Sequence, residues 1–294
     1  MADCGNSVAL GTFDGLHMGH LSVIKSAVAC GAGSASVLLF KEHPALTLTG
    51  KAPGRITSRE DEESILLSLG AKPVYIDFGE IRNLSPEEFF ETTAERMNAI
   101  CFSCGFNYRF GRDASGTTAL LSELCASKGI KLNISPAVMY DGSPVSSTRI
   151  RQCIQQGDIP SVNAMLGRRF SYKLTVNDGD KRGRTLGFPT INQRFGEELI
   201  VPAFGVYASE TEVEGAMYPS VTNIGIRPTI GTENIGSETH IIGFSGDLYG
   251  QSIRVSLVEK LRDECRYASL DELSLAISRD RENAGRIYER NKKE

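Results

Sequence analysis

The alternation of apolar and polar positions changes its character once along the chain, near residue 167. Before that point, short apolar runs such as Ser7–Leu10 and Ala35–Phe40 alternate with segments of helical period such as His17–Ala29. Apolar runs separated by amphipathic helices are typical of a parallel sheet covered by helices. We therefore predict that the first half is an α/β domain. Its further predicted elements are strands at Val74–Phe78, Ile100–Gly105 and Lys131–Val138 and a helix at Ala119–Lys128.

Two helix starts carry the signature of a capping box, in which a hydroxyl side chain and a glutamate three residues later satisfy free backbone N–H groups. Thr57 with Glu60 predicts a helix over residues 57–69, and Ser85 with Glu88 predicts one over residues 85–99. Pro86 supports the second start, because proline suits the first position of a helix.

Beyond residue 167, short segments of β character dominate, and glycine and proline separate them. This pattern favours an antiparallel sheet or a small barrel, followed by a helix that begins at Ser269. Two helices, Thr148–Gly157 and Ile159–Leu166, are predicted to join the halves, and we expect two domains, at residues 1–166 and 167–294. The predicted strands are Tyr172–Val176, Thr190–Asn192, Gly205–Ser209, Ser220–Asn223, Glu238–Phe244 and Ser252–Leu257.

Composition places the chain among ordinary globular proteins, with 294 residues, 40% hydrophobic and 23% charged residues and a net charge of −4. This mildly acidic balance argues against nucleic-acid or membrane-surface partners. No apolar run approaches the roughly 20 residues needed to cross a bilayer, and the N-terminal sequence lacks the features of a signal peptide. A cytoplasmic location is therefore expected.

The seven cysteines are an odd number, and in a reducing compartment a disulfide framework is not expected. Cys101 and Cys104 form a CxxC pair inside a predicted strand. Residues three apart on a strand point to opposite faces. The pair is therefore interpreted as two ordinary thiols rather than as a redox centre.

The segment GTFDGLHMGH, Gly11–His20, joins a predicted strand to a predicted helix, which is where open α/β sheets bind ligands. His17 and His20 share one face of the first helical turn, whose free N–H groups attract anions. Gly19 lets a ligand approach closely. One such histidine alone is more often a cap or a core residue, but the full pattern favours a site for substitution at phosphorus. The loop residues assigned to it are Gly11, Phe13 and Asp14.

Polar residues further along the chain are expected at the same rim of the sheet. Asn107 follows a predicted strand within GFNYRFG. Ser147 and Thr148 precede a helix with Arg151 in its first turn, and hydroxyls with arginine at a helix start suit a second anion site. The alternative is a plain N-cap with solvated arginines.

A second candidate site lies in the second half of the chain. Thr190 and Asn192 are two apart on a predicted strand, and their oxygens suit Mg²⁺ and phosphate. Glu238, in the segment ETHI, is placed to take a proton from a hydroxyl nucleophile, although a solvated strand residue would look the same. The glycine-flanked basic loop that precedes them, a candidate phosphate cradle, contains Gly183, Arg184 and Gly187.

Together these motifs resemble the bifunctional bacterial riboflavin kinase/FAD synthetase family over nearly the whole chain. The adenylyltransferase motifs are matched by GTFDGLHMGH, GFNYRFG and SSTRIR, and the kinase motifs by GRTLGFPTIN, TNIGIRPTI, ETHIIGFSGDLYG and LRDE. The resemblance implies an N-terminal Rossmann-like nucleotidyltransferase domain. It also implies a C-terminal six-stranded antiparallel β-barrel with a terminal helix.

The resemblance further implies the reactions and the residue roles. Riboflavin would be phosphorylated by ATP to FMN, and FMN would be adenylylated to FAD, with Mg²⁺ accompanying ATP. His17, His20, Asn107, Ser147, Thr148 and Arg151 would bind nucleotide or phosphate, Thr190 and Asn192 the metal, and Arg262 and Glu264 the flavin, with Glu238 as the kinase base.

Two other classes of function stay open at this stage. One is a different nucleotidyltransferase that acts on a small phosphorylated substrate and shares only the first domain. The other is a non-catalytic flavin or nucleotide sensor, which would bind without turnover. The sequence leaves weak self-association open.

Overall fold

The chain divides between residues 147 and 148 into two units, Met1–Ser147 and Thr148–Glu294. The computed structural model describes residues 5–30, 33–177, 188–229 and 232–292. Both predicted linking helices fall largely in the second unit, while the predicted functional boundary at residue 166 stays a prediction.

One parallel sheet organises the first unit and confirms the predicted α/β architecture. Its strands are β1 (Asn6–Leu10), β2 (Ser34–Phe40), β3 (Lys72–Ile76), β4 (Ala99–Gly105) and β5 (Lys131–Ser135). They run in the order β3-β2-β1-β4-β5, and every neighbouring pair is parallel. The central strand β1 is therefore flanked on both sides, and the carboxyl ends of all five strands meet at one edge.

Helices cover both faces of this sheet. Ile24 and Leu66 pack in the core on one face, and Phe90 and Leu121 pack in the core on the other. The sequence analysis did not predict the two shortest helices or a small hairpin, β6 (Met139–Tyr140) with β7 (Ser143–Pro144). The helices are α1 (Met18–Ala29), α2 (Pro44–Thr49), α3 (Arg59–Ser68), α4 (Phe78–Ile81), α5 (Pro86–Arg96) and α6 (Thr118–Lys128).

One of the two predicted capping boxes is confirmed and the other is wrong. The hydroxyl of Ser85 accepts the N–H of Glu88 at 3.1 Å, and the Glu88 carboxylate accepts the N–H of Ser85 at 2.7 Å. Helix α3 is capped by Ser58 instead of Thr57. The reason is tertiary, because the Thr57 hydroxyl donates to the carbonyl of Gly15, 3.4 Å away.

A closed antiparallel barrel of six strands forms most of the second unit and confirms the six predicted strands. The remaining elements of the chain are α7 (Ser147–Gln156), α8 (Ile159–Leu166), β8 (Phe170–Asn177), β9 (Ile191–Arg194), β10 (Gly205–Val213), β11 (Ala216–Thr229), β12 (Thr232–Ile241), β13 (Ser252–Arg262) and α9 (Leu270–Asn291). The barrel strands run in the order β10-β11-β12-β9-β8-β13. Several of them extend beyond their predicted bounds, because cross-strand pairing continues through residues of weak β propensity.

Helix α9 begins after Ser269, as predicted, and covers the outside of the barrel through Ala284 and Ile287. The barrel interior carries buried hydroxyls. Thr222 lies 2.7 Å from Ser209 and 2.9 Å from Thr239, measured between side-chain oxygens. Since strand residues alternate between faces, the neighbours of these interior threonines point away from the interior.

The cysteines depart from the sequence interpretation. Cys101 and Cys104 do point to opposite faces of the sheet, but Cys101 forms a disulfide with Cys30, so it is not an ordinary thiol. Cys104 packs in the opposite core with Cys125. Burial raises the pKa of the Cys104 thiol to about 12 and that of Cys125 to about 11, which leaves both thiols protonated and unreactive.

Candidate active sites

The loop between β1 and α1 is fixed by two apolar side chains that point inward. Phe13 and Leu16 have positive φ values, 51° and 42°, and both are buried. Non-glycine residues adopt this conformation at a cost that surrounding packing must offset. Here the core contacts of the two side chains hold it, so the loop enters α1 in a single fixed path.

His17 and His20 form a compact pair at the start of α1. Their rings stack with centroids 3.6 Å apart and planes 19° apart. His17 is the N-cap, and its Nδ1 accepts the backbone N–H of His20 at 3.3 Å. A Cβ at position 19 would lie 3.1 Å from the ring of His17, which is tighter than an ordinary contact, so glycine at this position leaves room for the ring.

His20 is held neutral in this setting. Burial, and secondarily the nearby His17, lower the pKa of His20 well below its ordinary value of 6.5. The Nδ1 atom of His20 is buried without a hydrogen-bond partner among the described residues. A neutral ring at a helix N-terminus acts on a phosphate through an N–H hydrogen bond and through the helix dipole rather than through a full charge.

A cavity of about 460 Å³ opens beside this loop and includes Gly11 in its wall. Its floor is apolar and aromatic, and six exposed polar residues stand at its rim. This volume is within the usual range for a small-molecule site. Sequence reasoning missed its floor, because the residues come from four separate segments: Leu38, Phe40, Phe78, Phe89, Tyr108 and Phe110. The polar rim consists of Thr12, Arg82, Asn83, Arg109, Arg112 and Asp113.

The downstream residues of the first predicted site fall on both units. Asn107 lies in the exposed turn after β4, near Gly105. The hydroxyl of Ser147 donates to the backbone carbonyl of Asp14 at 2.8 Å, so Ser147 fixes the loop between β1 and α1. Thr148 and Arg151 lie on α7 in the second unit, where burial lowers the pKa of the Arg151 guanidinium.

Three polar side chains form a row across neighbouring barrel strands. Glu238 on β12 pairs directly with Asn192 on β9 and with Asn223 on β11. Directly opposite residues share a face of a sheet, so the carboxylate lies between two carboxamides on the face opposite to the interior hydroxyls. Asn223 was not predicted, because only strand register places it beside Glu238.

His240 fixes the segment that carries Thr190. Its Nδ1 lies 2.9 Å from the carbonyl oxygen of Pro189, and the edge of its ring meets Phe188. Burial lowers the pKa of His240, so the neutral ring donates its N–H to that carbonyl. Thr190 then borders a cavity of about 340 Å³ whose walls include Ile241, Phe244, Leu248 and Tyr249.

The donor set in the barrel fits a hard metal ion. Asn192 Oδ1 is buried and has no hydrogen-bond partner among the described residues, and the Thr190 hydroxyl is two positions away. Neutral oxygens of this kind suit Mg²⁺ that takes its other ligands from phosphate and water. Within the described ranges, no cluster of three His, Cys, Asp or Glu side chains could hold a metal by itself.

Known protein families match both halves of the chain, and each match contains one of the two candidate sites. The FAD synthetase family model matches residues 1–149, and the riboflavin kinase model matches residues 166–288. A bifunctional riboflavin kinase/FMN adenylyltransferase of Bacillus subtilis is 33% identical over 291 residues, covering 96% of this chain and 92% of the relative. The chain belongs to the bifunctional riboflavin kinase/FMN adenylyltransferase family.

Two other known proteins also match this chain over nearly its whole length. A bifunctional riboflavin kinase/FMN adenylyltransferase of Escherichia coli K12 is 32% identical, covering 97% of this chain and 93% of the relative. A crystal structure described as a macrolide-efflux protein from Streptococcus pneumoniae is 30% identical, with a TM-score of 0.88, and covers 96% of this chain and 94% of the other. Among the described residues, none of the helices has the length and apolar character to cross a membrane.

The remaining residues that the family resemblance assigns to this chain differ in their surroundings. Glu264 lies over β11, where its carboxylate is 3.4 Å from the amide nitrogen of Asn223. Arg262 instead pairs with Asp280 of α9 at 2.8 Å, so its guanidinium also fastens the helix to the barrel. The residues of the predicted phosphate cradle, Gly183, Arg184 and Gly187, lie outside the described residues.

Proposed function

We propose that this chain makes FMN and FAD at two separate sites. It phosphorylates riboflavin with ATP to give FMN and ADP, and it adenylylates FMN with a second ATP to give FAD and pyrophosphate. The observation that carries this proposal is the pairing of family matches with sites. The match over residues 1–149 contains the histidine pair, and the match over residues 166–288 contains the row around Glu238.

In the kinase reaction, Glu238 is the general base. The 5′-hydroxyl of riboflavin attacks the γ-phosphorus of ATP, its proton passes to the Glu238 carboxylate, and ADP leaves. The register places Asn192 and Asn223 on either side of that carboxylate. We propose that these amides orient it and that Glu264, beside Asn223, contacts the flavin.

Thr190 and Asn192 hold Mg²⁺ with the nucleotide in this proposal. When bound, the ion offsets negative charge on the phosphate oxygens during transfer. The unpartnered Asn192 Oδ1 supports this assignment, because a buried acceptor without a partner carries a desolvation cost that a ligand removes. His240 acts through Pro189 and keeps Thr190 in position.

In the adenylyl transfer, a phosphate oxygen of FMN attacks the α-phosphorus of ATP and pyrophosphate leaves. The nucleophile is already an anion, so no general base is needed. His17, His20 and the N-terminal N–H groups of α1 stabilise the charge that develops on the phosphate oxygens. The aromatic cavity beside Gly11 is proposed to hold the flavin ring, with the arginines of its rim available to the phosphates.

We further propose that the enzyme works in the cytoplasm and has small-molecule partners only, namely riboflavin, FMN and ATP, without nucleic acid or membrane. Weak self-association stays open. The substrates of the two reactions are hydrophilic nucleotides and flavins, which agrees with this setting and with the mildly acidic chain.

One assay tests the proposal. The purified protein is incubated with riboflavin, ATP and Mg²⁺, and the flavins are separated over time. We expect FMN first and FAD later, with pyrophosphate formed in step with FAD. No consumption of riboflavin, with adenylylation of another phosphorylated compound, would favour the alternative nucleotidyltransferase. Flavin binding without turnover would favour a sensor.

A further inference from the structure

We propose that Cys30 and Cys101 form a reversible thiol–disulfide site that ties helix α1 to the central sheet and stabilises the first unit. The two sulfurs are joined in the structure, across 71 residues of sequence, with the Cα atoms 6.8 Å apart. None of the sequence motifs includes Cys30. The consequence for FAD synthesis rests on the proposed function, whereas the formation of the bond does not.

The two cysteines differ in their access to solvent. Cys101 on β4 is 1% exposed, whereas Cys30 is half-buried at the C-cap of α1. A small oxidant therefore reaches Cys30 first.

The second cysteine has a polar neighbour on the adjacent strand. The side-chain amide of Asn133 donates a hydrogen bond to Cys101 Sγ at 3.4 Å. With a low-molecular-weight disulfide as oxidant, the Cys30 thiolate attacks one of its sulfurs and releases one small thiol. The Cys101 thiolate then attacks Cys30 Sγ and releases the second small thiol. Two protein thiols are thus oxidised to one disulfide while the small disulfide is reduced to two thiols.

The location of the bond gives it a functional consequence. Helix α1 carries His17 and His20 at its N-terminus and Cys30 at its other end. Linking that end to β4 restricts the unfolded chain over a long loop, which typically raises the stability of the folded state. In the second unit, the described cysteines Cys153 and Cys265 are free, so the kinase activity serves as an internal reference.

The test compares reduced protein with protein treated with oxidised glutathione and then freed of it. Intact mass and peptide mapping detect the bond, and samples heated at graded temperatures are assayed for both activities. Oxidation is expected to raise the midpoint of loss of FMN adenylylation by roughly 5 to 10 °C and to leave that of riboflavin phosphorylation unchanged. C30S is expected to abolish the shift, and C153S, the matched control, to retain it.

Several results would overturn the proposal. They are the absence of a Cys30–Cys101 peptide after oxidation, a bond that forms without any shift, or a shift that persists in C30S. If no state of the protein adenylylates FMN, the proposed function fails instead. The mass measurement and the thermal unfolding of reduced and oxidised protein then still decide whether the disulfide forms and stabilises the chain.

Discussion

The two proposed sites are built in different ways. In the first unit, the groups come from one continuous segment, where a loop enters a helix and two imidazoles stack at its N-terminus. In the second unit, they come from separate strands, and strand register sets a carboxylate between two amides. In the proposed reactions this difference matches the two nucleophiles, because an anionic phosphate needs charge stabilisation alone, whereas a hydroxyl also needs a base.

The largest effect is expected from removing the proposed kinase base, Glu238. E238Q keeps the size of the side chain but accepts a proton poorly, so riboflavin phosphorylation should fall about a thousandfold. FMN adenylylation should stay within about twofold, measured on the same preparation. E212Q, at an exposed carboxylate on β10, is the control and should retain both activities. A parallel loss of both in E238Q would contradict separate sites.

H20A is expected to have the next largest effect. Losing one of the two stacked rings should lower FMN adenylylation by roughly a hundredfold, since single preorganised donors contribute at about this level. Riboflavin phosphorylation should not change. K25A, at an exposed position on the same helix, controls for damage to α1. Full FAD synthesis by H20A would remove this histidine from the mechanism.

Adjacent residues on β9 separate ligand binding from folding. N192L removes the buried oxygen proposed for Mg²⁺ and should raise KM for Mg-ATP in the kinase reaction about tenfold or more. Gln193 faces the other way, and its amide donates to the carbonyls of Leu174 and Ile253 at 2.6 and 2.8 Å. Q193L should therefore lower stability by about 1–3 kcal/mol, seen in thermal unfolding, with little change in KM. The reverse pattern would refute the assignment.

The smallest effect concerns pH and the first unit. Because burial lowers the pKa of His20 in the folded state, its contribution to stability is present above about pH 6.5, the ordinary value, and is lost as pH falls below it. The midpoint temperature of thermal unfolding of the wild-type protein should therefore fall as the pH is lowered from about 7 to about 5.5. H20Q, which cannot titrate, should show a shallower dependence. An unchanged slope would mean that His20 is not buried as a neutral ring.

The helices and strands of both units could be predicted well from the sequence, because buried positions recur along the chain with the period of a helix or a strand. The centres of β1, β2 and β4 are buried at successive positions and mostly apolar, which is what strands covered on both faces require. Local chemistry was less reliable. Thr57 and the adjacent Ser58 can both cap a helix, and the structure uses Ser58 while the Thr57 hydroxyl bonds to the carbonyl of Gly15.

The candidate sites could be predicted where their residues are close in sequence. His17 and His20 lie on one helical turn, and Thr190 and Asn192 lie two apart. Asn223 and the aromatic floor of the first cavity were missed, because strand register and sheet order bring them in. The Cys30–Cys101 bond was missed for the same reason, since a helix end and a strand meet only in the folded unit.

A mixing experiment tests most directly the claim that one chain holds two independent sites. E238Q and H20A are assayed separately and together with riboflavin, ATP and Mg²⁺. With two independent sites, E238Q alone should yield almost no FMN, H20A alone should stop at FMN, and the mixture should make FAD. Failure of the mixture to make FAD, although each variant retains its own half-reaction, would contradict independent sites.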